Sequence, residues 1–464
     1  MGDINISDDE IKDVEKILLP SSCYFPEDAI NVIRCWKSSE IVACPGSGKT
    51  TVLLAKLKML AERMPFSDGT GVCVLSHTNV AVSEIKTKLN RYADKLMGYP
   101  NYVGTIQSFI DQYVTKPYLK SITKTPIQVI DDVTYANHFY NLIWSDKRKT
   151  SPYQSLRYFI LNQVKNGSGK FSSELDYIQN LYINNENLFV KGQNRVVAGK
   201  NSASAKQYIQ AKETLLKAEG IITYNEAYKY AEEAILNWSS GYTDLFSQRF
   251  QYVFVDEYQD CNSLQRQVLD KLFDKNKTCV FYIGDPDQAI YNSENNQELG
   301  WTPNEDCIEM VCSNRYGQEI ADFLVNLRTD NREIKSSKGY LKYVPTLIVF
   351  DDGSRKKVIE AFIDVLDQYD LFDSNGVYKV IGLVKSENLK GLKIGDYWDE
   401  FNPEQNLRNL NRYWNHVNVI ADELEKGKLY SVEKEVRKIL CKLFDFIGII
   451  DSCLLYTSPS PRDS

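Results

Sequence analysis

Residues 40–60 read EIVACPGSGKTTVLLAKLKML and set the fold of this chain. An apolar run at residues 41–44 leads into a glycine-rich turn at residues 45–50, and helical spacing of apolar residues follows. This order of strand, glycine-rich turn and helix is the context of a phosphate-binding P-loop. Gly46 and Gly48 let backbone N–H groups approach an anion, and the helix N-terminus adds the positive end of its dipole. The stretch predicts a nucleotide-binding α/β domain.

The polar side chains of this turn have separate expected roles. Lys49 can reach the outer phosphates of a nucleotide, and the Thr50 hydroxyl can hold a Mg²⁺ ion. The first position of the pattern is Ala43, where glycine is more usual. The residues predicted to bind the nucleotide are Ala43, Cys44, Pro45, Gly46, Ser47, Gly48, Lys49, Thr50 and Thr51.

Composition narrows the class of protein. The 464 residues are 25% charged and 43% hydrophobic, which is typical of globular proteins and predicts about three domains. The sequence has no apolar run of membrane-spanning length, and it begins with an acidic segment unlike a secretory signal. We therefore expect a cytoplasmic protein that does not associate with a membrane. Ten cysteines without a Cys-x-x-Cys pair, and three histidines, argue against a zinc or iron–sulfur site. The net charge of −7 argues weakly against a protein that coats nucleic acid by bulk electrostatics. It is compatible with a local basic or aromatic groove that binds a single strand.

Strand and helix signals alternate along much of the chain and predict a parallel sheet with helices on its faces. Between residues 113 and 241 helical periodicity dominates, which indicates an inserted helical domain. A second, smaller α/β pattern has strand candidates at 346–350 and 379–384 and a helix at 357–369. The predicted domains are 1–112 with 242–300, a first nucleotide-binding α/β domain; 113–241, the insertion; 301–400, part of a second α/β domain; and 401–452, the start of a second helical insertion.

Residues 453–464, CLLYTSPSPRDS, fit none of these patterns. They look like translated sequencing adapter, and we exclude them from fold reasoning. On that interpretation we expect the natural protein to continue beyond about residue 452, and the chain as given to bind nucleotide but to turn it over poorly.

A second motif supplies acidic groups. Residues 253–260 read VFVDEYQD, an apolar run that ends in adjacent carboxylates. Nucleotide hydrolysis needs one carboxylate near Mg²⁺ and another that aligns or deprotonates the attacking water. We assign Asp256 to the metal side and Glu257 to the general base.

Five segments follow one another between residues 43 and 291: ACPGSGKT, HTNVAVSEI, GTIQSF, VDEYQD and GDPDQAIY. In this order they resemble the motifs of the UvrD/Rep-like branch of superfamily 1 DNA helicases. The resemblance implies two RecA-like domains with ATP and Mg²⁺ between them, each interrupted by a helical insertion. It also implies a helicase that moves 3′ to 5′ along single-stranded or tailed duplex DNA as it hydrolyses ATP.

The resemblance also implies roles for single residues. Gln288 is expected to sense the γ-phosphate, and Tyr291 to face the DNA bases. Thr78, Asn79 and Thr105 are expected to contact the DNA backbone, with Phe109 as a stacking partner. An aromatic platform with hydroxyl and amide donors holds a strand without reading its sequence. Two alternatives stay open: Phe109 can belong to the core, and Thr78 and Asn79 can cap a helix.

Several positions depart from the family pattern. Arg315 is the candidate for the arginine presented to the γ-phosphate, but Asn314 precedes it where an aromatic residue is usual, and Tyr316 is a possible substitute. Asp28, 21 positions before Lys49, stands where the family has an adenine-reading glutamine. An aspartate can accept from the adenine amino group but cannot donate to the ring nitrogen.

Further departures open a second interpretation. Residues 292–294 are Asn-Ser-Glu where the family commonly has tryptophan and arginine, and the late family motifs are missing from residues 320–452. Truncation explains the missing motifs better than divergence does.

An alternative function is a UvrD-like NTPase that partners a nuclease in a bacterial defence system, without processive unwinding. A nucleotide-binding structural module is a third and weaker interpretation, because both hydrolytic carboxylates are retained.

Overall fold

The computed structural model describes most of the chain up to residue 398 and divides it into two compact units, residues 1–345 and 346–464. The described residues are 4–21, 23–145, 151–166, 171–191, 193, 195–237, 240–289, 300–330, 332–341, 343–371, 378–381 and 394–398. The predictions for residues 401–452 and 453–464 lie outside them.

All strands in the described residues belong to the first unit. They are β1 (Ser39–Ala43), β2 (Gly71–Ser76), β3 (Tyr102–Thr105), β4 (Val129–Ile130), β5 (Leu181–Asn184), β6 (Asn187–Val190), β7 (Ile221–Ile222), β8 (Phe250–Val255), β9 (Cys279–Gly284), β10 (Ile308–Met310), β11 (Cys312–Ser313) and β12 (Lys335–Ser336). Six of them form one sheet in the order β10-β1-β9-β8-β2-β3, and every neighbouring pair is parallel. The predicted α/β class with a parallel sheet is confirmed.

The helices follow the sequence signals closely. They are α1 (Asp8–Leu18), α2 (Glu27–Arg34), α3 (Lys49–Arg63), α4 (Asn79–Leu89), α5 (Ala93–Met97), α6 (Ile106–Ile110), α7 (Lys116–Thr123), α8 (Asp132–Trp144), α9 (Gln154–Asn166), α10 (Glu174–Asn180), α11 (Ala203–Glu219), α12 (Tyr224–Asn237), α13 (Ser240–Arg249), α14 (Ser263–Leu272), α15 (Gln318–Val325) and α16 (Val358–Gln368). A π-helical turn, Asp111–Thr115, joins α6 to α7. Side-chain capping fixes the start of α1, where Ser7 and Glu10 form a capping box. Among these helices none is both long and apolar enough to cross a membrane.

The central sheet is buried on both faces, as continuous apolar strands predict. Successive residues of a strand point to opposite faces. In β1, Ile41 and Ala43 pack with α1, α2 and α3, while Val42 faces the cluster that contains Phe109 of α6 and Val268 of α14. Two separate apolar cores therefore hold the sheet in place and leave its strand ends free for chemistry.

The inserted segment is mainly helical, as predicted, and has its own core. Sequence reasoning missed its antiparallel hairpin, β5 with β6, in which the Tyr182 and Phe189 rings stack at 5.6 Å. The loop of this hairpin has two residues, Asn185 and Glu186. Their φ values of 46° and 60° fit a type I′ turn. The limits of the insertion remain a prediction.

The chain beyond residue 300 contributes to the first unit. β10 pairs with β1 and so forms the edge of the central sheet. In the second unit α16 lies within the helix predicted at 357–369, which confirms it. The strand predicted at 346–350 is wrong, since those residues form none. The other candidate is 379–384, and its described part, 379–381, is not a strand either.

One charged side chain lies inside the apolar layer beneath the sheet. Lys56, on α3, is fully buried, and its amine donates to the carbonyl oxygens of Val32 at 2.8 Å and Ile33 at 3.3 Å. The amine also lies 4.0 Å from the centroid of the Trp36 ring. Burial lowers the pKa of Lys56 to about 7. The lysine thus ties α3 to the C-terminal end of α2.

The pH dependence of stability tests this arrangement. Between the folded pKa of about 7 and the ordinary value of 10.5, the unfolded chain holds a proton that the folded chain has lost. Folding therefore becomes more favourable as pH rises, by up to about 1.4 kcal/mol per pH unit. Lys56→Met removes this gain, so its free energy of unfolding relative to wild type should fall between about pH 7 and about pH 9. Urea unfolding followed by circular dichroism measures it.

Lys12→Met, on the exposed face of α1, is the matched control. Its difference from wild type should be the same at both pH values. A Lys56→Met difference that does not change with pH would contradict the depressed pKa.

Candidate nucleotide-binding site

The parallel direction of the strands gathers the predicted site residues at one edge of the sheet. The register pairs Leu75 of β2 with Val255 of β8, and Val255 with Tyr282 of β9. The P-loop follows β1, and the two acidic motifs follow β8 and β9. Carboxyl ends of parallel strands form the usual ligand-binding edge of such sheets. The structure therefore brings together three motifs that are far apart in the chain.

The P-loop has the geometry of an anion cradle. Gly46 and Gly48 have φ values of +85° and +89°, in the left-handed region that favours glycine. The Ser47 hydroxyl donates to the Cys44 carbonyl oxygen at 2.8 Å and closes the turn. The Lys49 amine is buried and has no hydrogen-bond partner among the described residues. A buried cation without a hydrogen-bond partner in the described chain, at the first residue of α3, fits a phosphate group.

Asp256 and Glu257 face this cradle. Burial, with the neighbouring Glu257 carboxylate, raises the pKa of Asp256 to about 7, and Lys49 opposes the shift. Glu257 has φ +53°, an uncommon conformation for a residue other than glycine and one that often marks functional sites. Its Oε2 lies 3.9 Å from the Lys49 amine. A cation beside Asp256 would restore its charge, so this carboxylate fits the metal side of a nucleotide complex.

Gln259 connects the two acidic motifs and is a residue that sequence reasoning missed. Its Nε2 donates to Glu257 Oε2 at 2.7 Å, and its Oε1 accepts from the Asp285 amide at 3.0 Å. Gln288 Nε2 in turn donates to Asp285 Oδ2 at 2.8 Å. A Cβ at Gly284 would lie 2.4 Å from Gln259 Oε1, so glycine is required there. One hydrogen-bonded chain thus runs from Glu257 to Gln288; the predicted sensing role of Gln288 remains a prediction.

The segment before α15 packs directly on the P-loop. The Asn314 amide donates to the Gly46 carbonyl oxygen at 2.9 Å, and the Ser313 hydroxyl donates to that of Pro45 at 2.9 Å. A Cβ at Gly46 would lie 2.6 Å from Arg315 Cβ. Arg315 therefore starts immediately beside the phosphate cradle, and its predicted contact with the γ-phosphate remains a prediction.

Asp28 has a structural role that the sequence did not reveal. Its Oδ2 accepts from the amides of Val311 at 2.8 Å and Cys312 at 2.9 Å, and its Oδ1 accepts from the Ala29 amide at 2.8 Å. Each oxygen thus accepts from backbone amides, and the predicted contact of Asp28 with adenine remains a prediction. Because 283 residues separate Asp28 from Val311, no local pattern signals the contact.

The predicted DNA-contacting residues fall into two groups. Thr78 caps α4 through the Ala81 amide at 3.3 Å, and Thr105 caps α6 through the Ser108 amide at 3.1 Å. Thr78 and Asn79 are exposed, Thr105 is partly buried, and all three follow strand ends at the same edge, so contact with DNA remains a prediction beside capping.

Phe109 belongs to the core, which corrects its predicted stacking role. It is fully buried, and its ring lies 5.0 Å from that of Tyr102 and 5.1 Å from that of Tyr113, so no face is left for a base. Tyr291 lies outside the described residues.

A second missed residue braces the GDPDQ turn. Arg328 is almost buried and its Nε lies 3.1 Å from Asp287 Oδ2 and 3.0 Å from Asp330 Oδ1. The Thr329 hydroxyl also donates to Asp287, at 2.6 Å. An isolated arginine in a polar stretch carries no sequence signal for this contact.

Fold and geometry define a P-loop nucleotide-binding domain of the RecA-like type. Residues 27–295, more than half of the chain, match the family described as UvrD/REP helicase N-terminal domain. The chain belongs to this family, which confirms the resemblance drawn from its motifs.

Individual relatives are similar at low identity. A probable DNA helicase II homolog of Mycoplasma genitalium is 22% identical over 284 residues, 57% of this chain and 36% of the relative. The Gabija protein GajB of Bacillus cereus is 26% identical over 253 residues, 54% of this chain and 37% of that protein. One component of an ATP-dependent helicase/nuclease of Alkaliphilus metalliredigens is 38% identical over 72 residues, 16% of this chain and 6% of that component. The chain thus spans well under half of the length of each.

Replacing Asp28 should release the segment it holds. Asp28→Ala removes the acceptor of the Val311 and Cys312 amides, each a charge-assisted hydrogen bond worth about 1.5–3 kcal/mol. Hydrogen exchange at these two amides should therefore accelerate by about tenfold or more. Mass spectrometry of peptides that contain them measures the rate. Glu27→Ala, one residue away and exposed, is the control and should leave it unchanged; equal rates in Asp28→Ala would overturn the assignment.

Proposed function

We propose that this chain forms the nucleotide-hydrolysing part of an ATP-dependent helicase that translocates 3′ to 5′ along single-stranded DNA and unwinds tailed duplexes. The observation that carries the proposal is the buried amine of Lys49, which lies in a P-loop 3.9 Å from Glu257 and has no hydrogen-bond partner in the described part of the chain. Membership of the UvrD/REP family and the DNA helicase II homologs among its relatives support the assignment to DNA.

The residues of the site fit ATP with Mg²⁺. The backbone N–H groups of the P-loop and the Lys49 amine would hold the outer phosphates, and Thr50 with Asp256 would hold the ion. The described residues contain no group of three or more His, Cys, Asp or Glu side chains that could hold a metal ion. An ion here would therefore take most of its ligands from phosphate and water, as Mg²⁺ commonly does. Bound ATP and Mg²⁺ supply the phosphoryl group and neutralise its charge.

The chain's own groups then divide the work. In the proposed mechanism Glu257, which accepts a hydrogen bond from Gln259, orients and deprotonates a water molecule. Arg315, whose Cβ lies beside the cradle, stabilises the charge that spreads over the transferred phosphoryl group. The hydrogen-bonded chain through Asp285 to Gln288 connects Glu257 with the segment that leads to Tyr291. This connection is how we propose that hydrolysis is passed to bound DNA.

A second candidate function is an NTPase that partners a nuclease. It is supported by the relative from Alkaliphilus metalliredigens, whose name joins helicase and nuclease in one enzyme. The two candidates differ in strand separation: the helicase unwinds a 3′-tailed duplex, whereas the partner protein hydrolyses ATP in response to DNA without unwinding it. A strand-displacement assay on the full-length protein, run beside its ATPase assay, separates them.

Replacing the general base tests the mechanism. Glu257→Gln keeps the shape of the side chain but cannot accept a proton, so DNA-stimulated ATP hydrolysis by the full-length protein should fall about 100-fold or more. Binding of a fluorescent ATP analogue should persist, whereas Lys49→Ala should abolish it. Phosphate release and fluorescence anisotropy measure the two effects.

The matched control is Glu305→Gln, an exposed acid away from the site, which should leave hydrolysis unchanged. Wild-type turnover by Glu257→Gln would show that Glu257 is not the base.

A further inference from the structure

A cavity of 360 Å³ lies where the helical insertion meets α14, and we call it the insertion cavity. It shares no residue with the P-loop or with the two acidic motifs. Its volume falls in the range of small-molecule sites. The lining residues that matter below are Lys191, Lys212, Lys229, Tyr135, Tyr182 and Leu264.

The two carboxylates of the insertion cavity are already neutralised. Glu226 accepts from the Lys212 amine at 2.9 Å through Oε1 and from the Thr223 amide at 3.0 Å through Oε2. Asp132 is bonded in the same way, to Lys191 at 3.3 Å and to the Tyr224 amide at 3.0 Å. Each carboxylate therefore pairs with one lysine and one backbone donor, and a third lysine of the lining has no such ion pair among the described residues.

Lys229 is that third cation. Its amine donates to the Ile183 carbonyl oxygen at 3.1 Å, and no carboxylate of the described chain lies within 4.0 Å of it. Three lysines and two carboxylates leave the lining with one positive charge (3 − 2 = 1). Lys229 is exposed at its outer end, but partial burial and the nearby charge of Lys212 lower its pKa, and Glu226 and Glu232 oppose the shift. An anion in the cavity would relieve both effects.

The insertion cavity is also lined by aromatic and hydroxyl groups. The Tyr182 ring borders the cavity and stacks on Phe189, which fixes its orientation. The Tyr135 hydroxyl is buried near the Tyr208 side chain, and no group of the described residues meets the geometry of a hydrogen bond with it. A buried hydroxyl without a partner is unfavourable unless a ligand or water satisfies it. The cavity thus combines a cation, a fixed aromatic face and an unsatisfied polar group.

We propose that the insertion cavity binds a small phosphorylated molecule, with its phosphate at Lys229 and its remaining polar surface toward Tyr135 and Tyr182. The site goes beyond the proposed helicase function. Its place also links it to the catalytic edge, since Leu264 lines it and Gln265, the next residue of α14, donates to the Tyr228 hydroxyl at 2.7 Å. α14 begins shortly after the Asp256–Glu257 motif. An occupant therefore contacts the helix that follows the catalytic acids.

Calorimetry with pyrophosphate tests the site in the full chain carrying Lys49→Ala, which removes binding at the P-loop. We expect one equivalent to bind with Kd about 1 mM or below. Adding Lys229→Met should weaken binding at least about tenfold, and Lys229→Arg, which keeps the charge, should restore most of it. Lys206→Met is the matched control, since Lys206 lies exposed on α11 and outside the cavity; it should have no effect.

Three results would overturn the proposal. The first is no binding of pyrophosphate to the Lys49→Ala protein, and the second is binding that Lys229→Met leaves unchanged while circular dichroism shows a folded variant. The third is loss of oligothymidylate binding in Lys229→Met without any pyrophosphate binding, which would make the cavity part of a DNA surface. None of these readouts depends on ATP hydrolysis, so failure here is distinct from failure of the proposed function.

Discussion

The close approach of two backbones at Gly46 is the contact on which the nucleotide site depends. The Asn314 amide donates to the Gly46 carbonyl oxygen, and a Cβ at that glycine would overlap both Ser313 Oγ and Arg315 Cβ at 2.6 Å. Asp28 holds the same segment from the other side through the Val311 and Cys312 amides. Because both restraints act on backbone, the position of Arg315 beside the cradle follows from chain geometry rather than from side-chain packing.

The charged groups of the site determine which ligand charges it favours. Lys49 has a buried amine without a hydrogen-bond partner among the described residues, while burial raises the pKa of both Asp256 and Asp285. Such groups are unfavourable in an empty protein interior, and complementary charge removes the penalty. The proposed magnesium–nucleotide complex carries both signs, a negative charge for the lysine and a positive charge for the aspartate. With that ligand we expect the site to be more stable than without it, which favours binding.

Local order could be read from the sequence, whereas long-range contacts could not. The helix predicted at 357–369 contains α16, and the apolar run at 41–44 overlaps β1, because hydrophobic periodicity and flanking turns report local structure. The P-loop and VDEYQD motifs likewise carry their chemistry in a few consecutive residues. Asp28, Gln259 and Arg328 each also contact a partner far along the chain, which no window of sequence contains. These partners are Val311, Asp285 and Asp287, respectively. Phe109 shows the remaining limit: an aromatic residue in a motif fits a core or a ligand equally well until its burial is known.

The strand order has a consequence for how the chain folds. β1 and β2 are neighbours in sequence but not in the sheet, where β9 and β8 lie between them. Those two middle strands come after the whole helical insertion in the chain. The N-terminal strands are therefore synthesised before the strands that pair with them in the middle of the sheet. Until those strands are made, the N-terminal strands have unpaired edges, which are prone to aggregation. The insertion can form its own core in that interval, so the domain made in the middle of the chain is complete before the domain that surrounds it.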